Sequence, residues 1–152
     1  MSGLLPLLIC EIPLALLPPV ETHALKDRVA CIARFLGVEI NPELPLPTVH
    51  VLEAHEIMTI NPQWLNSCDT FWGTYRHAWP RVFLGPESRQ DFLYHELVHY
   101  VQFAYNRVPN AESEMERQAC EGAELLMLIY HPVRYQLLMM TFGIFGWRAS
   151  DP

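Results

Sequence analysis

Residues 91 to 103 read DFLYHELVHYVQF. Two histidines, His95 and His99, bracket Glu96 inside an apolar run. A helix turns about 100° per residue, so the two histidines stand one turn apart on one face. Their imidazoles can then converge on one tetrahedral metal ion. Glu96 sits beside them and can reach a metal-bound water without ligating the metal, which is the chemistry behind an H-E-x-x-H pattern. The competing reading is a buried helix that happens to hold histidine. With seven histidines and thirteen glutamates in 152 residues, chance supplies about 0.03 such patterns per chain. The motif alone therefore does not decide the matter; the following helix does.

A catalytic zinc site needs a third protein ligand and one open position. The segment AESEMERQACEGAELLMLIY, running to about Pro132, reads as a second helix, and Glu116 is its candidate ligand. On a helical count Glu112, Ala119, Cys120, Ala123, Met127 and Tyr130 share the face of Glu116, while Glu114 and Glu121 point away and Glu124 lies near the edge. The small residues Ala119 and Ala123 let this helix approach the first closely enough for a carboxylate to reach its metal. The short turn NRVPN between them favours an antiparallel pair.

The segment PESRQDFLYHELVHYVQFAYN reads as the first of these helices. Ser88 with Asp91 predicts a capping box in which Asp replaces the usual Glu. Asn110 is the expected cap of the second helix, with Glu112 and Glu114 in its first turn favourable to the helix dipole. The side of the first helix opposite the histidines carries Leu93, Leu97, Tyr100, Val101 and Ala104, and Phe92 and Phe103 lie on the histidine side. A helix apolar nearly all round is central and buried. Two histidines and a glutamate there are costly unless paired or bound to metal.

Outward from this pair the signals weaken. VETHALKDRVACIARFLG has helical apolar spacing, with Thr22 the expected start and Gly37 the expected end. NPELPLP is a stiff extended linker. TVHVLEAHEI begins as a strand and loses its alternation, with His50 and His55 on the strand and solvent-facing. NPQWLNSCDTFWGTYRHAWP reads as a long aromatic loop with a short helical piece, its tryptophans Trp64, Trp72 and Trp79 acting as anchors. RVFLG is a short strand, read either as an ordinary sheet member or as the edge along which an extended peptide pairs. RYQLLMMTFGIFGW is an apolar last helix breaking at Gly143 or Gly146; Trp147 in it is another anchor.

Length and composition suit one domain spanning residues 1–152, with the metal-site core at 80–130. Half of the residues are hydrophobic and 18% are charged, which excludes a disordered chain. The net charge of −7 argues against nucleic acid as a partner. Arg76, Arg81, Arg89 and Arg107 are scattered and form no basic patch. Cys10, Cys31, Cys68 and Cys120 are far apart and form no C-x-x-C, so free thiols in a reducing, cytoplasmic setting are expected. LLPLLICEIPLALLPPV, residues 4 to 20, is apolar but carries Glu11 and four prolines. It reads as a packing or docking arm; membrane contact through it is the weaker reading.

HELVH followed by ERQACEGAELL resembles the gluzincin pattern of zinc metallopeptidases, H-E-x-x-H with a later E-x-x-A. RVFLGPE before YHELVHYVQ also resembles small gluzincin-like proteins of about this length. The likeness covers roughly residues 80 to 128. It implies an α+β, minimal zincin-like domain: a small antiparallel or mixed sheet, and a central H-E-x-x-H helix packed against a second, ligand-bearing helix. It implies Zn2+ held by His95, His99 and Glu116, with Glu96 as the catalytic acid/base acting on a peptide or protein substrate. Cys120 departs from the pattern, since many of these families carry Asp or Asn directly after the alanine. Tyr130, His131 and His77 are the candidates for steadying an oxyanion. The alternative to a peptidase is an inactive zinc-binding domain serving protein interaction, for which Glu96 would have no use; a third reading is a small apolar protein with no metal.

Overall fold

The structure, a computed structural model, describes residues 19–60, 73–76, 80–85 and 88–142. The expectations for the arm before residue 19, for Cys10, Cys68, His77 and the four tryptophans, and for breaks at Gly143 or Gly146 lie outside these residues. In chain order the elements are α1 (Leu25–Phe35), β1 (Thr48–Val51), α2 (Ala54–Ile60), β2 (Gly73–Arg76), β3 (Arg81–Leu84), α3 (Gln90–Ala104), α4 (Glu112–Tyr130) and α5 (Pro132–Phe142). Helices and a small sheet are both present, as an α+β reading expects.

The sheet has the order β1-β3-β2. β1 pairs with β3 in parallel, Thr48 opposite Arg81 and Val51 opposite Leu84. β2 pairs with β3 in antiparallel fashion, Gly73 opposite Leu84. Of the two expected arrangements the sheet is therefore mixed, and the purely antiparallel one is excluded. RVFLG is a strand, but it is the central one, so the expectation of an edge for peptide pairing fails. The reason lies in Gly73–Arg76, which was read as loop and instead supplies the second neighbour. No apolar alternation marks GTYR as a strand; pairing with β3 does. His50 is exposed on β1 as expected, whereas His55 is exposed on α2 rather than on a strand.

β3 alternates cleanly. Val82 and Leu84 are buried and join the core, while Phe83 turns to the other side with Leu52 and Ile57. Chain period two thus feeds both faces of the sheet.

α3 is the centre of the molecule. Every side chain from Gln90 to Gln102 is buried, and the helix packs against α1, α4, β2 and β3. Val29, Ile32 and Ala33 of α1 and Ala119, Ala123, Leu126 and Met127 of α4 complete the core. Contacts run in opposite chain directions along α3 and α4. Gln102 meets Met115, His99 meets Glu116, Val98 meets Gly122 and Tyr94 meets His131. The pair is antiparallel, as its short turn requires. The linker is tied to α3 through the Tyr100 hydroxyl, which donates to the Pro45 carbonyl at 2.6 Å.

The helix ends separate good expectations from poor ones. Gly37 terminates α1 with φ 71°, its N–H donating to Arg34 O and the Val38 N–H to Ala33 O. This is a Schellman motif, which glycine favours because it lacks a Cβ. α3 ends the same way on Asn106, φ 53°, with Arg107 N–H reaching Gln102 O at 2.7 Å. The N-terminal expectations fail. The N-cap positions are Ala24, Arg89 and Ala111, none with a side-chain cap bond, and not Thr22, Ser88 and Asn110. At α3, both Asp91 carboxylate oxygens are taken by the Arg89 guanidinium at 3.0 and 2.8 Å. That bidentate pair is worth more to a buried carboxylate than a backbone cap bond.

Candidate metal centre

His95 and His99 project from one face of α3, as their spacing demands, and Glu116 reaches them from the second turn of α4. His95 Nε2 lies 2.9 Å from Glu116 Oε2, His99 Nε2 lies 3.2 Å from Glu116 Oε1, and the two Nε2 atoms are 3.1 Å apart. The rings meet edge to face, with planes at 82°. A tetrahedral zinc with bonds near 2.0–2.1 Å separates its ligand atoms by about 3.3 Å. The three donors thus stand within a few tenths of an ångström of the spacing a metal needs. They form a group that could hold a metal ion.

Burial is uneven across the cluster. The His95 and His99 side chains are 3% and 9% exposed, whereas that of Glu116 is 41% exposed. The imidazoles form the floor and solvent reaches the cluster past the carboxylate. Glu116 is therefore the solvent-facing member of the group.

The charges follow from this geometry. Hydrogen bonds from His95 and His99 hold the Glu116 carboxyl well below its usual range. Burial lowers His95, with only partial compensation from Glu116. Burial also lowers His99, but bonds to Glu116 and Gln102 and the charge of Glu96 outweigh it and raise the net value. Burial pushes Glu96 up to about 7, with His99 pulling it down and Glu116 pushing it further up.

Glu96 is the unusual member. Its carboxylate is buried, and no group among the described residues hydrogen-bonds it. A buried carboxyl without a partner costs several kcal/mol. Helix α3 tolerates it at the edge of a group of metal-type donors and nowhere else along its length.

Sequence reasoning missed Gln102. It is fully buried, and its Oε1 accepts from His99 Nδ1 at 2.9 Å while its Nε2 donates to Met115 O at 3.1 Å and to Gln118 Oε1 at 3.0 Å. The signal was present: an amide three residues after His99 in an otherwise apolar stretch, one helical turn along. Cys120, which departs from the resembled pattern, packs against His95, its Sγ 4.0 Å from Nδ1. It is buried, and Cys31 is half-buried.

Two expected oxyanion groups are not at the site. Tyr130 and His131 follow Glu116 by 14 and 15 positions, roughly 20 Å along the helix axis. The Arg28 guanidinium lies over the Tyr130 ring at 3.6 Å, and His131 Nε2 is 2.6 Å from the Tyr94 hydroxyl. Both are committed to the far end of α4; a shared helical face does not imply a shared height. Glu114 and Glu121 point away, as expected, and both pair with Arg117. Among the described residues no helix is long and apolar enough to cross a membrane. No protein-family model, curated protein or solved structure matches this chain.

Proposed function

We propose that the chain is a zinc-dependent peptidase, with His95, His99 and Glu116 as the metal ligands and Glu96 as the general acid/base. The observation that carries this reading is the buried Glu96 carboxylate, with no hydrogen-bond partner among the described residues, one residue from a convergent His-His-Glu donor set. Two imidazoles and one carboxylate are the ligand set of catalytic zinc in hydrolytic sites, and borderline donors of this kind suit zinc better than magnesium or calcium. A purely structural site has no role for Glu96. The peptide bond as substrate follows from the resemblance of HELVH and ERQA to the gluzincin pattern.

When bound, zinc supplies Lewis acidity, acidifying a water and polarising a carbonyl. The chain's own residues do the rest. Gln102 and Glu116 hold the two imidazoles in place. Glu96, whose carboxyl burial raises in the metal-free chain, accepts the proton of the attacking water and delivers it to the leaving amine. The solvent-facing side of Glu116 leaves room for substrate to approach.

The test is zinc stoichiometry and cleavage of an unfolded protein substrate in wild type and Glu96→Gln. Wild type should hold one zinc and lose cleavage on chelation. Glu96→Gln should keep the zinc and lose cleavage by about 10²–10⁴-fold. A wild type without metal sinks the reading. A zinc-loaded wild type that cleaves nothing points instead to the inactive, protein-binding alternative.

A further inference from the structure

We infer that Gln102 is a positioning residue that selects the His99 tautomer competent to bind metal, and that the turn of α4 carrying Glu116 sets its orientation. The inference rests on the metal-binding reading of the site. A side-chain amide has one accepting and one doubly donating end. The Met115 carbonyl, 3.1 Å from Gln102 Nε2, can only accept. It therefore requires the NH2 end of Gln102 to face it, and the second hydrogen goes to Gln118 Oε1 at 3.0 Å. The accepting end is thereby turned to His99 Nδ1 at 2.9 Å, which must carry the proton. With Nδ1 protonated, the neutral ring keeps its Nε2 lone pair bare. That atom is the one directed at the metal position, 3.1 Å from His95 Nε2.

The alternative tautomer has its own attraction. Glu116 Oε1 lies 3.2 Å from His99 Nε2 and would accept a proton placed there. Such a proton would occupy the coordinating lone pair. Gln102 and Glu116 thus compete for the one proton of neutral His99; the contact at Nδ1 is the shorter, 2.9 Å against 3.2 Å, and it places the proton there. The amide is fully buried, so water does not substitute for it. His95 Nδ1 lies 4.0 Å from the Cys120 sulfur. Met115 and Gln118 flank Glu116 in sequence. A shift of α4 would move a ligand and disorient Gln102 together.

The experiment pairs long-range ¹⁵N–¹H NMR of the metal-free protein at about pH 9, where imidazoles are neutral, with zinc titration against a competing chelator. Wild type should show His99 protonated on Nδ1. Gln102→Met, of similar length with only a weakly accepting thioether, should move that proton to Nε2 and weaken zinc binding by about 10–100-fold. Wild-type His99 carrying its proton on Nε2 overturns the inference, and that spectrum decides the matter even if Gln102→Met does not fold. A folded Gln102→Met that binds zinc within about twofold of wild type also overturns it, while leaving the metal reading intact. A wild type that binds no zinc removes the metal reading itself.

Discussion

On the proposed reading, Glu116 has two tasks that depend on its half-exposed position. It must be close enough to two imidazoles to share a cation, and open enough to leave that cation accessible. Its oxygens lie 2.9 and 3.2 Å from the two imidazole nitrogens, which meets the first. Glu116→Ala should abolish the third ligand and weaken zinc binding by more than about a hundredfold, beyond the loss typical of an outer partner. Glu114→Ala, which removes only an exposed pairing with Arg117, should leave zinc affinity unchanged. Chelator competition on both variants checks this; equal affinities in the two would exclude Glu116 as a ligand. The histidine pair was legible because a one-turn repeat is a local property of the chain. Gln102 was not, because an amide becomes informative only when its acceptors on another helix are known.

Between elements, the α3–α4 approach depends on small residues, and Gly122 joins the buried Ala119 and Ala123 there. A Cβ at Gly122 would meet Val98 Cγ2 at 2.7 Å and Phe35 Cε1 at 3.3 Å. Val98 is buried and β-branched, so its side chain has little freedom to yield. Alanine gains up to about 1 kcal/mol in helix propensity over glycine. Overpacking costs about 1–3 kcal/mol. Gly122→Ala should therefore lower stability in denaturant titration by about 1 kcal/mol. A variant more stable than wild type would show that α4 is free to move outward. The helical face of Glu116 could be counted from sequence, but which small residue meets α1 could not, since α1 approaches from a distant part of the chain. The missed caps have a related cause: candidate cap residues were identified by type, whereas the starts at Arg89 and Ala111 depend on where the chain leaves its neighbours.

Across the whole molecule, a polar junction at the far end of α4 joins four segments. The Glu21 backbone N–H donates to Gln90 Oε1 at 2.6 Å, and Gln90 Nε2 returns a bond to Glu21 O at 3.0 Å. Tyr94 accepts from Arg28 Nε and its hydroxyl lies against His131 Nε2. Burial lowers the His131 pKa; Glu21 opposes this, while Arg134, Arg28 and His23 add to it. The folded state therefore prefers neutral His131. Its contribution to stability is complete above about pH 6.5 and is lost as pH falls from there towards the lowered folded value. His131→Gln, which keeps an acceptor for Tyr94, should remove a slope of at most about 1.4 kcal/mol per pH unit from that window. Denaturant titrations of metal-free protein between about pH 5 and 7 measure it, and identical slopes in the two proteins would refute it. None of this junction was read from sequence, where His131 stood only as one of three candidates for steadying an oxyanion.

The sequence by itself determined the parts of this protein that depend on spacing within one element: the His95–Glu96–His99 face, the central apolar helix, the strand Arg81–Leu84 and the Gly37 stop. Helical and strand periods are consequences of local backbone geometry, so they survive without knowledge of partners. Only the tertiary structure decided that Arg81–Leu84 is flanked on both sides, that Gly122 marks the close approach, that Gln102 supports His99 and that Tyr130 and His131 lie a helix length from Glu116. Each of these depends on which distant segment arrives beside a residue and at what height, and packing settles that rather than any local preference.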